Sequence, residues 1–132
     1  MIFDNCSKYI EDIIFTQYSL EYWRDKNIVF PTLDLLSKTM VCIFRKYNIQ
    51  SIKLFSQLPY LENWSGVRLQ RDWNDLFNNR DNVVIVLTDI ECKDIILNKI
   101  KTNNPKLLDN IVDFADIRMN MLPNVVKKNL EN

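Results

Sequence analysis

The sequence predicts a single, mainly α-helical domain, a compact bundle of five or six helices spanning residues 1–132. Three observations predict it. Apolar residues recur at three- and four-residue steps through most of the chain, and residues suited to starting a helix stand before several of those runs. Only one pentad, Val83 to Leu87, has the unbroken β-branched character of a buried strand. The alternative is an α+β domain with a small sheet that includes residues 83–87.

The first segment places Cys6, Ile10, Ile13, Ile14, Tyr18 and Tyr22 on one face, with Asp4 or Asn5 able to accept from the free amides at its start. That predicts helix one. After the polar break Arg24 to Asn27, Pro31 suits a first helical turn, and Leu33, Leu36, Met40, Ile43, Phe44 and Tyr47 repeat helically up to Asn48, a left-handed stop. Ile49 to Leu58 alternates imperfectly before Pro59 and fits either a short helix or an extended piece.

A third helix is expected from a cap at Asn63 or Ser65 through Leu69, Trp73, Leu76 and Phe77, followed by a turn at Asn78 to Asn82. Trp73 then belongs to the core. The pentad at 83–87 needs partners for its backbone groups, and only Asn27 to Phe30 and Ile49 to Phe55 offer any. It is either a strand of a small sheet or the buried opening of a helix running to Ile100.

Thr88 and Glu91 have capping-box spacing, which favours a helix starting there with Cys92, Ile95, Ile96 and Ile100 on one face. Asn104 and Pro105 open a further helix carrying Leu108, Ile111, Val112, Ala115 and Met119. Beyond Pro123, a last short helix holds Val125, Val126 and Leu130.

Composition narrows function by exclusion. The 17 basic and 17 acidic residues cancel, so no general attraction to nucleic acid or anionic membrane exists. There is no histidine, which removes Ser-His-Asp and Cys-His catalysis and the commonest transition-metal ligand. Gly66 stands alone, so there is no phosphate-cradling glycine loop and no dinucleotide fingerprint. No cofactor and no metal site is expected.

Cys6, Cys42 and Cys92 are scattered and never in CxxC spacing, which points to a reducing compartment, the cytoplasm, rather than to a disulfide framework. Cys42 and Cys92 should pack as small hydrophobes, while Cys6 near a helix start is the one placed for a lowered pKa. The opening residues lack the basic-then-apolar pattern of a secretion signal, and no apolar run reaches the ~20 residues a membrane-spanning helix needs. The single glycine and single alanine, set against abundant Ile, Asn and Lys, have the look of an AT-rich, acquired gene.

Four residues stand out as candidate partner contacts. Asp109, Asp113 and Asp116 fall at i, i+4 and i+7, so one helix face would carry a line of carboxylates. They form either a solvated face or an acidic stripe kept for a basic protein partner. Trp64 either staples the entry of the third helix or is exposed for contact, in a segment rich in Trp and Arg. Glu91-Cys92-Lys93 resembles the ExK half of the PD-(D/E)xK nuclease motif, which implies a divalent cation on acidic residues and a lysine that positions water. That family places ExK on a strand. Here it follows Thr88-Asp89, with no upstream aspartate framed as its partner.

In size, balanced charge and lack of catalytic residues, the chain resembles the immunity proteins encoded beside bacterial toxins, particularly those of contact-dependent growth inhibition systems. The resemblance implies a cytoplasmic toxin inhibitor, not an enzyme, that binds a cognate toxin domain such as a nuclease and occludes its active site. Two other readings stay open: a helical interaction module such as a viral modulator of host signalling, and a metal-dependent nuclease using Glu91 and Lys93.

Overall fold

The computed structural model describes residues 2–56, 58, 61–77 and 82–115. The expected helical bundle does not form. Helices and a six-stranded mixed sheet build the fold together, so the α+β alternative fits, with a sheet larger than the one expected around residues 83–87.

Helix α1, Ile2–Gln17, and helix α2, Leu20–Arg24, replace the single first helix. Ser19 causes the break: its extended backbone and its hydroxyl, which accepts from the Tyr22 amide at 3.1 Å, start a second helix. Strand β1, Asn27–Phe30, then leads into α3, Leu35–Lys46. Pro31 therefore ends a strand instead of opening a helix. The stop at Asn48 is as expected: its φ is 63°, and the following Ile49 amide closes back on the Phe44 carbonyl at 2.9 Å.

The ambiguous next segment is strand β2, Ile52–Phe55. The helix expected from Asn63 is a hairpin, β3, Asn63–Trp64, and β4, Val67–Gln70, followed by a 3-10 helix, Trp73–Phe77. The cause is local. Ser65 and Gly66 both take positive φ, 50° and 80°, as a two-residue turn between twisted strands requires, and Val67 and Leu69 then alternate inward.

Val83–Leu87 is strand β5, wholly buried. Helix α4, Lys93–Asn103, starts later than the Thr88–Glu91 spacing predicts, and Ile96 and Ile100 are its buried residues while Ile95 faces outward. The helix expected from Pro105 is a 3-10 helix, Pro105–Asn110, running into strand β6, Ile111–Asp113. There β-branched Ile111 and Val112 pair with Ile85 and Val86, and sheet pairing overrides the helical spacing of the apolar residues. The predicted last helix, Val125 to Leu130, and Met119 lie outside the described residues.

The strand order is β3-β4-β2-β1-β5-β6, and only β3 runs antiparallel to its neighbour. Alternation along the strands separates two cores. Ile28, Phe30, Val84 and Val86 pack with Trp23, Met40 and Phe44 from α2 and α3. Val29, Ile85 and Leu87 pack with Ile96, Ile100 and Leu107 on the other face. Buried on both sides, the central strands are runs of apolar residues, as parallel strands between helical layers are.

Candidate site at the carboxyl ends of the strands

Adjacent parallel strands β1 and β5 send their chains to opposite faces, β1 to α3 and β5 to α4. In an open sheet of this order, that divergence marks a topological switch point at the carboxyl ends of the two strands, the usual ligand position. The residues there are Thr32 and Asp34 after β1, and Thr88 and Asp89 after β5.

Asp34 joins the two strand ends. Its Oδ2 accepts from Thr88 Oγ1 at 2.7 Å and from Thr32 Oγ1 at 2.9 Å, and the two hydroxyls lie 3.3 Å apart. Its Oδ1 accepts from the Ser37 amide at 2.9 Å, while the Asp34 amide donates to Ser37 Oγ at 2.9 Å. This reciprocal pair is a capping box at the start of α3. The carboxylate thus spans the switch point and occupies the electropositive helix end where a phosphate would otherwise sit. Leu33 and Leu35 flank it where a phosphate loop would have glycine. Behind it, the Trp73 indole donates to the Pro31 carbonyl at 3.0 Å.

The β5 side is different. Asp89 Oδ1 accepts from the Glu91 amide at 3.0 Å, Cys92 holds the cap position of α4 without a side-chain bond to the helix, and Glu91 is exposed. Burial pushes the Cys92 thiol above its ordinary value, helped by the charge of Asp89, a hydrogen bond to it, and the charges of Glu91 and Asp34. Lys93 forms an ion pair with Asp113 at 2.5 Å. Glu91 and Lys93 therefore stand on a loop and a helix, not on the strand the nuclease resemblance implies. Among the described residues, no group of three His, Cys, Asp or Glu side chains is placed to hold a metal ion.

The other predicted contacts are scattered. Asp109 is exposed on the 3-10 helix before β6, and Asp113 ends β6, so the two flank a strand instead of sharing a helix face. Asp116 lies outside the described residues. Trp64 is half-buried, its indole donating to the Lys38 carbonyl at 3.3 Å with the Lys38 ammonium 5.1 Å from the ring centroid. It packs on the α3 side of the core. Trp73 is also only partly buried, and Cys42 is exposed instead of packed.

Sequence reasoning missed Asp34. The signal was present: an aspartate three residues before Ser37, after an apolar triplet and a proline, fits a strand turning into a capped helix. No family model, curated protein or solved structure matches the chain.

Proposed function

We propose that this chain acts by binding another protein rather than by turnover. The supporting observation is the Asp34 carboxylate, hydrogen-bonded to Thr32, Thr88 and Ser37 at the switch point where open sheets of this kind receive a small ligand. A fixed negative charge at that point repels phosphate, and the capped helix end has fewer amides to offer it. The fold keeps the frame of a ligand-binding sheet but uses the ligand position for its own structure.

Two narrower forms share this reading. One is a cytoplasmic antidote that occludes a toxin's active site; the other is a module that modulates a signalling partner. A toxin reading frame beside the gene separates the first from the second.

The test is titration of the full chain with ATP, NAD and inorganic phosphate, followed by amide chemical shifts. The expected result is no saturable shift at Thr32, Asp34 or Thr88. Saturable nucleotide binding at those residues would refute the proposal, as would magnesium-dependent cleavage of nucleic acid abolished by Glu91→Gln.

A further inference from the structure

Five large apolar side chains stay exposed among the described residues: Leu35, Leu58, Ile90, Ile95 and Leu108. Four of them gather at one end of the molecule. Leu58 follows β2, Leu35 opens α3, Ile90 follows β5, and Ile95 lies in the first turn of α4. All four therefore stand at the carboxyl end of the sheet, with Leu35 next to Asp34 and Ile90 two residues beyond Thr88, the hydrogen-bond partner of Asp34. Leu35, Ile90 and Ile95 are 61%, 63% and 53% exposed. Single exposed apolar residues need no explanation, whereas several brought to one end by parallel strands are the material from which a contact surface is built.

The charges at this edge define what it fits. From Asp89 to Ile95, three acids, Asp89, Glu91 and Asp94, interleave with Ile90 and Ile95, while the single base, Lys93, is paired with Asp113. Arg71, at the end of β4, directs its guanidinium to the carbonyls of Leu58 and Leu61. A chain with no net charge thus gathers acidic and apolar groups on one segment of one edge.

Resting on the binding role proposed above, we infer that this edge docks a basic amphipathic segment of a partner protein, with Lys or Arg beside Leu or Ile. Its apolar side chains cover Leu35, Ile90 and Ile95, and its cations face Asp89, Glu91 and Asp94. Charge complementarity of this kind speeds encounter and sets orientation, while the apolar contacts hold the complex. An anionic membrane or a polynucleotide meets the wrong sign of charge.

The experiment uses the full chain with two synthetic peptides, an amphipathic leucine–lysine peptide and its leucine–glutamate counterpart, followed by fluorescence anisotropy and amide chemical shifts. Saturable binding of the lysine peptide alone is expected, weakening with salt, with shifts centred on Leu35, Ile90, Glu91 and Ile95. Ile90→Ser combined with Ile95→Ser should weaken binding at least about tenfold with an unchanged melting temperature, because both side chains are exposed. Glu91→Lys with Asp94→Lys should reverse the peptide preference, and Leu108→Ser should change nothing.

Failure of both peptides to bind, equal binding by the double serine variant, or shifts centred elsewhere would each overturn the docking surface. These results leave the broader binding role standing, because that role fails on the nucleotide titration, a separate measurement.

Discussion

At the junction from β1 to α3, Asp34 gives both carboxylate oxygens to partners within the fold, and Ser37 and Thr88 beside it are buried. At the junction from β5 to α4, on the neighbouring strand, Cys92 caps nothing with its side chain, Ile90, Glu91 and Asp94 are exposed, and the half-buried Asp89 accepts from the Glu91 amide of its own loop. The two junctions occupy equivalent places on neighbouring parallel strands. The first turns its carboxylate inward to bridge both strands; the second contributes the buried Thr88 to that bridge but leaves Ile90, Glu91 and Asp94 at the surface. Bridging the strand ends at one junction and presenting side chains at the other are two parts of one arrangement, in which a hydrogen-bonded floor carries an exposed rim.

The largest expected effect tests the closed junction. Asp34→Ala removes a helix cap, about 1–2 kcal/mol, and strips the buried Thr88 hydroxyl and the half-buried Thr32 hydroxyl of their acceptor, about 1–3 kcal/mol more. Allowing for overlap, urea denaturation should show a loss of about 2–4 kcal/mol. Asp34→Asn keeps a carbonyl oxygen for the Ser37 amide and an amide group toward the two threonines, so it should lose about 1 kcal/mol. A loss near zero for the alanine variant would remove the contrast between the junctions.

Much of the central sheet was legible in the residues themselves. Val83–Leu87 looks like a buried strand, and the need to satisfy its backbone singled out Asn27–Phe30 and Ile49–Phe55; β1 is indeed its neighbour, with Ile28 opposite Val84. What misled was spacing. Leu69, Trp73 and Leu76 are helically spaced, yet Val67 and Leu69 also alternate, and the Ser65-Gly66 turn settles the choice for a hairpin. Ile111 and Val112 continue a helical pattern on paper but become an edge strand because β5 offers them a ladder. Non-local pairing of this kind leaves no trace in the local pattern. Asp34 was hidden for a related reason: with Pro31 assigned to a first helical turn, a cap three residues later had no place.

A middle-sized effect probes the open junction. Lys93 lies at the positive end of α4, where a cation is unfavourable, and Asp113 offsets that across from β6. Both side chains remain partly solvated, so the pair is worth little more than a surface ion pair. Asp113→Asn should cost about 1 kcal/mol at low salt and less at high salt, read by thermal melting. A salt-independent loss above about 2 kcal/mol would mean the junction is built as firmly as its neighbour.

The smallest effect concerns the Cys92 thiol, raised first by burial and then by Asp89, Glu91 and Asp34. A raised pKa leaves less reactive thiolate at neutral pH, so alkylation of Cys92 should lag that of exposed Cys42 when followed by peptide mass spectrometry. Its rate should climb with pH through a range above the ordinary thiol value. The sign for stability follows: the folded state holds this proton more tightly than the unfolded chain does. The thiol's contribution is therefore intact below the unfolded pKa and is lost as pH rises through the folded one. Asp89→Asn removes one charge and a charged acceptor but not the burial, so it should speed alkylation modestly and leave Cys42 unchanged. If it instead brings Cys92 level with Cys42, the acids of the rim, and not the packing beneath it, govern the chemistry at this junction.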